Sequence, residues 1–331
     1  MRAKAALGAM LLLLAPALPG AARAADVRVA VQFGLPYLPL MLMQSDKLLE
    51  AEAGKRGITD VTLQLIRVAG SAAVNDALLS GATELGLFGP PALLILWDKT
   101  RAANAVKGLA NCATHPLVMN TNRPDIKTLA DIGPADRIAI QAANSPQALV
   151  LGMAAEKLFG KGQSQHFSAN IRPLPHPDAM AAFLSGTEIA VHFTVAPFSV
   201  WEAENPKVHR VTTSTEIMGE PATNVLLAAP AKWVEANPKL AEAMFAAMEE
   251  AMRRINADRK HAAEVYLKNE PSKMTPEFVE KLLADPENIF RVEPTGIMAY
   301  ADFMQRTGMI KDKPGRWEET FFPYLNGRKG S

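Results

Sequence analysis

From residue 25 onward, short strand-like runs alternate with helix-like ones, and this order limits the possible folds more than any other feature of the chain. Val27, Val29 and Val31 alternate as one strand face, Gly34-Leu35-Pro36 ends the run, and Leu38 to Leu49 reads as a helix. Val61 to Val68 is a second strand, and Ser71 is placed to cap a helix that reaches Leu79 and closes at Gly81. Glu84 to Phe88 is a third strand, and Gly89-Pro90-Pro91 opens a helix over Ala92 to Lys99. A βαβαβα order builds a mostly parallel sheet with helices on both faces. Ligands of such sheets sit at the carboxyl ends of the strands, so the loops after the strands are the ones to watch.

A second alternating unit follows: strands over Arg137 to Gln141, Ile171 to Leu174 and Ile189 to Phe193, with helices from Asn144-Ser145-Pro146 to Phe159 and from Pro177 to Leu184. Two runs read as crossings between units, Leu117 to Asn122 before Arg123-Pro124, and Asn224 to Ala229 before Pro230. Only helices come after the second crossing, over Pro238 to Asn256, Ala257 to Leu267, Thr275 to Leu283 and Thr295 to Arg306. A chain that leaves one lobe, builds another and returns has two crossover strands, and two crossover strands make a hinge. The expected fold is therefore α/β and two-lobed, with lobe one over 25–117 and 225–331 and lobe two over 118–224. No internal sequence repeat is visible.

Residues 1–24 read as a secretory signal peptide. Arg2 and Lys4 precede an apolar run from Ala5 to Ala17, and Ala22-Arg23-Ala24 is a small-x-small cleavage site. The run is shorter than the roughly 20 residues that span a bilayer. The expectation is cleavage after Ala24 and a periplasmic protein. Removing Arg2, Lys4 and Arg23 from a chain of formal charge +1 leaves −2, which lacks the basic field that nucleic-acid binding needs. Cys112 is the only cysteine, so neither an intramolecular disulfide nor a cysteine zinc site is available, and its apolar surroundings point to a buried, inert thiol.

Several segments stand in the order of a known family: Gln32-Phe33-Gly34, Ala69-Gly70-Ser71, Leu79 to Gly86, Gly89-Pro90-Pro91-Ala92, Ile126 to Ile132 and Val195-Ala196-Pro197-Phe198. Over most of Val27 to Leu283 the chain resembles the solute-binding proteins of ABC importers for nitrate, sulfonate and taurine, a family that includes pyrimidine-precursor binders. The resemblance implies the type II periplasmic-binding-protein fold, a ligand cleft between lobes and delivery to membrane permease subunits. It does not fix the ligand. Where many sulfonate binders carry a Trp-rich segment, this chain reads Val191-His192-Phe193-Thr194, which weighs against sulfonate specificity. The pyrimidine-synthesising relatives depend on a cysteine-rich motif that a chain with one cysteine lacks.

Candidate ligand-binding residues follow from the loops. Asn144 and Ser145 open a helix whose first N–H groups favour an anion, and Gly70 and Ser71 repeat that arrangement in lobe one. Gly89 and Pro90 form a stiff wall. Gln32, Phe33 and Tyr37 lie on the first loop, where an aromatic ring can rest on a ligand or pack in the core. His192 and Phe193 end a strand in lobe two, and His115 precedes the first crossing; either histidine can meet a carboxylate or serve only structure. His166, His176, His209 and His261 are scattered and read as structural or surface. No catalytic, metal or cofactor motif is present. The expected function is capture of a small, singly negative ligand (sulfonate, nitrate or carboxylate) by a monomeric, non-enzymatic protein. The alternatives are a neutral heteroaromatic ligand such as a pyrimidine precursor, a secreted enzyme with an unfamiliar site, and a module that feeds a sensor.

Overall fold

Among the described residues, ten strands form two separate five-stranded sheets. Described in the computed structural model are residues 25–186, 188–270 and 272–331; the expected signal peptide and its cleavage site lie outside them. The first sheet holds β1 (Ala25–Val31), β2 (Val61–Arg67), β3 (Leu85–Phe88) and β4 (Val106–Ala113). The second holds β5 (Val118–Thr121), β6 (Arg137–Ile140), β7 (Ile171–Pro173), β8 (Ile189–Thr194) and β9 (His209–Thr213). The last strand, β10 (Val225–Pro230), returns to the first. Strand orders are β2-β1-β3-β10-β4 and β7-β6-β8-β5-β9.

Within each sheet four strands run parallel, and the strand entered from the other lobe is inserted antiparallel to them as the fourth of five. The two lobes thus share one topology, a repeat of connection that the sequence does not show as a repeat of residues. The chain passes between sheets over 114–117 and 219–224. These segments and their flanks are tied together: His115 N–H donates to Asn224 Oδ1 (3.3 Å), Ser214 N–H donates to the Leu117 carbonyl (2.8 Å), Leu117 N–H donates to Ser214 Oγ (2.9 Å), and Asn224 N–H donates to the Ala113 carbonyl (3.0 Å). Paired crossings bend together, which is what a hinge requires.

Two local features depart from the sequence expectation. The first helix is broken in two, Leu38–Ser45 and Leu48–Gly54, because Lys47 takes a left-handed conformation (φ 53°) between them. The apolar segment around Cys112, not read as a strand from sequence, is β4, the edge strand of the first sheet and buried along nearly its whole length. Cys112 itself is buried, and burial pushes its thiol well above the ordinary value.

Helices after β10 complete lobe one. On Pro238–Ala257 the residues Leu240, Met244, Met248, Ala251 and Ile255 lie on one stripe and are buried against the helix Leu38–Ser45 and its neighbours. Each fully buried aliphatic side chain of this kind contributes about 1.5–3 kcal/mol. The helix Ile297–Arg306 reaches lobe two, where Arg306 pairs with Glu156 at 2.6 Å. The lobes also meet where Leu35 N–H donates to the Ala196 carbonyl (3.0 Å). No described helix is long and apolar enough to cross a membrane.

Candidate binding site between the lobes

Three helices start at the seam. Ser71–Ser80 and Pro90–Thr100 belong to lobe one, Pro146–Phe159 to lobe two. Each follows a strand of its sheet, so the topology sends their positive ends toward one place. Gly70 and Gly89, not serines, occupy the N-cap positions of the two lobe-one helices, and neither cap has a side-chain hydrogen bond. The reason is space. A Cβ on Gly70 meets the Gln141 carbonyl oxygen of lobe two at 3.1 Å, and one on Gly89 meets the Pro146 ring at 2.2 Å. Ser145 caps its own helix by accepting from Ala148 N–H (3.4 Å).

At the seam lies a small cavity of about 10 Å³, lined by Pro36, Tyr37, Ser71 and Gly89 from one side and by Gln141, Pro146, Gln147 and Val195 from the other. Leu117, Asn224 and Val225, on and beside the crossings, complete it. That volume is about one water molecule's room. A ligand of several atoms therefore enters only when the lobes move apart. Among the described residues, no Lys, Arg, His, Asp or Glu lines this cavity. Burial raises the Tyr37 hydroxyl well above its ordinary value, and the Gln141 side chain hydrogen-bonds to it.

Of the residues expected from sequence, Tyr37, Ser71 and Gly89 line the cavity. Gly70, Pro90 and Ser145 sit at the starts of the converging helices, and Asn144 is half-buried beside Ser145. The others lie elsewhere. Gln32 is buried behind the first loop, with Nε2 donating to the Leu87 carbonyl (3.1 Å). Phe33 lies under Arg67, 4.9 Å from its ring centre, at the edge of an outer groove of about 660 Å³ shared with Phe198, Trp201 and Met274. His115 packs edge-on against Phe290 (ring centres 4.6 Å apart). His192 and Phe193 are wholly buried in β8, a strand flanked on both sides by β5 and β6, and so face lobe two's interior instead of the cavity.

His176, expected to be a scattered structural residue, belongs to a buried chain. Glu202 Oε1 meets His192 Nδ1, His192 Nε2 lies 3.0 Å from His176 Nδ1, and His176 Nε2 lies 3.3 Å from Gln147 Nε2. Burial, with His192 adding to it, holds the His176 ring well below its ordinary pKa. Gln147 and Asn224 were not among the residues expected from sequence. Gln147 sits on the first turn of its helix, where a polar residue on an otherwise apolar face is the available signal. Asn224 opens the second crossing, where only its position marks it.

Comparison with known proteins places this geometry. Residues 20–267 match the NMT1-like family. Among curated proteins none matches the chain significantly. The alkanesulfonate-binding protein SsuA from Xanthomonas axonopodis pv. citri, bound to MOPS, is 17% identical over 91% of this chain and 99% of its own, with a TM-score of 0.70. The periplasmic aliphatic sulphonate binding protein SsuA from Escherichia coli is 17% identical over 90% and 92%, with a TM-score of 0.65. The periplasmic nitrate-binding protein NrtA from Synechocystis PCC 6803 is 15% identical over 78% and 70%, with a TM-score of 0.60. At this identity the likeness establishes the two-lobed periplasmic-binding-protein fold.

Proposed function

The chain belongs to the NMT1-like family, and from that premise we propose that it is the extracytoplasmic substrate-binding component of an ABC importer, a monomeric, non-enzymatic protein that closes its lobes on a small ligand. One observation carries the reading: polar groups of both lobes and of a crossing converge on a single cavity at the seam. A ligand held there touches everything that moves, so its binding energy acts directly on the lobe equilibrium. The sulfonate- and nitrate-binding roles named for the structural neighbours support capture rather than turnover. The lobe boundaries proposed with this reading are 117/118 and 224/225, supported by the assignment of β5–β9 to one sheet and of β10 to the other.

The ligand carries at most one negative charge. Three helix starts each favour negative charge by roughly 0.3–1 kcal/mol, and up to ~2 when partly buried. An ion moved into such a site loses several kcal/mol of hydration and needs a partner to recover it. The lining offers no cation, so a doubly charged anion has no counter-charge there.

The test is incubation of the exported protein with nitrate, methanesulfonate, taurine and uncharged amides. A raised melting temperature with the compound recovered unchanged supports the reading, whereas chemical turnover sinks it. N-terminal sequencing of the exported protein is expected to begin at Ala25; retained Met1 speaks against export by cleavage.

A further inference from the structure

Two buried polar atoms lining the cavity have no hydrogen-bond partner among the described residues: Gln147 Oε1 and Asn224 Nδ2. Their residues are 1% and 3% exposed. A buried amide group left unpaired is costly, so each is a place where a bound molecule gains. The orientation of Asn224 follows from its other end, since Asn224 Oδ1 accepts from His115 N–H at 3.3 Å, which leaves the NH₂ for the cavity.

The orientation of Gln147 follows from what surrounds its NH₂, with His176 Nε2 at 3.3 Å and Gln141 Oε1 at 3.5 Å from Nε2, and Glu202 stands at the far end of the same buried chain. Glu202 Oε2 accepts Asn120 Nδ2–H at 3.0 Å and Oε1 meets His192 Nδ1, a contact that places the proton of His192 on Nδ1. With that proton on Nδ1, His192 Nε2 is an acceptor for His176 Nδ1–H at 3.0 Å, and Thr194 Oγ1 lies 3.1 Å from the same His176 nitrogen. His176 Nε2 is left bare and takes an N–H of Gln147. The amide has one way round, with its carbonyl toward the cavity. The titratable groups that face one another here are Glu202 on the helix Phe198–Ala203, His192 on β8 and His176 on the helix His176–Ser185; across the seam the Tyr37 hydroxyl approaches through Gln141.

We propose that Gln147 and Asn224 select the ligand, that the part bound at the seam is an uncharged carboxamide or ureido group, and that Glu202, His192 and His176 are positioning residues that hold the Gln147 carbonyl toward it. An N–H of the group reaches Gln147 Oε1 and its carbonyl takes Asn224 Nδ2–H. A carboxylate at the same place sets its oxygens against the Gln147 carbonyl. This inference rests on the proposed binding role and names the chemistry that the cleft reads.

The test uses shape-matched pairs, acetamide with acetate and benzamide with benzoate, with nitrate and methanesulfonate alongside, titrated into the exported protein by calorimetry at pH 7.5. The amide of each pair is expected to bind more tightly by ~10-fold, the value of one buried hydrogen bond set against one repulsion. Gln147→Leu, which introduces no buried charge, is expected to bring the amide-to-acid ratio toward one. Nitrogen-15 NMR of the histidine rings reads the positioning separately: His192 and His176 are both expected with the proton on Nδ1, and Glu202→Gln is expected to lose that preference together with the amide selectivity. Tighter binding of the acids, or His176 carrying its proton on Nε2, overturns this proposal and leaves cleft binding standing. Binding of none of the six compounds overturns both.

Discussion

His115 lies two residues beyond β4 with both ring nitrogens unpartnered, and burial lowers its pKa to about 3. In the unfolded chain the ring takes a proton near its ordinary value of 6.5. Below that pH the unfolded state binds a proton that the folded state refuses, so stability falls as pH falls, until about pH 3. The slope is about 1.4 kcal/mol per pH unit, or roughly 2 kcal/mol between pH 6.5 and pH 5. His176, also lowered by burial, acts in the same direction. His115→Leu is therefore expected to shrink the loss of melting temperature between pH 7.5 and pH 5, measured by calorimetry. An unchanged pH dependence in that variant disproves the assignment. At this scale the sequence is readable only where chemistry follows chain order. Tyr37, Ser71 and Gly89 were expected from the loops that follow strands, and they line the seam cavity because the topology sends such loops there. Gln147 reaches the cavity only through a first-turn position on its helix. The Glu202–His192–His176 chain depends on neighbours 10 and 16 residues apart, spacings that match neither helix nor strand period, so no pattern announces it.

Among elements, the break at Lys47 has a measurable consequence. A non-glycine residue in the left-handed region costs about 1–2 kcal/mol, whereas a glycine there loses about 0.4–1 kcal/mol through the greater freedom of the unfolded chain. Relief exceeds loss, so Lys47→Gly is expected to raise stability by up to about 1 kcal/mol in denaturant titration; a fall shows that the Lys47 side chain contributes more than its backbone costs. Ser145 is the converse. Its hydroxyl satisfies one N–H of the first turn, and Ser145→Ala is expected to lower stability by about 0.5–1 kcal/mol, at the low end because the 3.4 Å bond is long. The strand–helix alternation was legible because its periods differ so sharply. β4 was not, because a strand buried on both faces, even at the edge of its sheet, shows a continuous apolar run without alternation, and the helix break was not, because lysine gives no warning of a positive φ.

For the molecule as a whole, lobe contact is held by a few direct links. Glu156 and Arg306 join the lobes on the outside, with Arg306 40% exposed. Such a pair is worth at most about 1 kcal/mol, which is up to ~5-fold in the ratio of open to closed forms. Arg306→Ala is expected to enlarge the mean radius of gyration in small-angle scattering at low salt, and high salt is expected to enlarge that of the unaltered protein. No change in either shows that the pair does not govern closure. The shared topology of the two lobes was hidden from sequence reading because connection order, unlike residue order, leaves no periodic trace.

The absence of a side chain at residue 89 bears on more than packing. Its φ of −78° is ordinary for any residue, so alanine there strains nothing within its own lobe. The added methyl meets the Pro146 ring across the seam at 2.2 Å and, less closely, the Asn224 carbonyl of the crossing at 3.2 Å. Gly89→Ala is thus a doorstop. It is expected to leave the melting of each lobe nearly untouched while scattering reports a wider molecule and ligand capture weakens. In the proposed transport cycle such a protein stays in the shape that exists after cargo has been handed over, which gives a one-atom handle for separating capture from delivery.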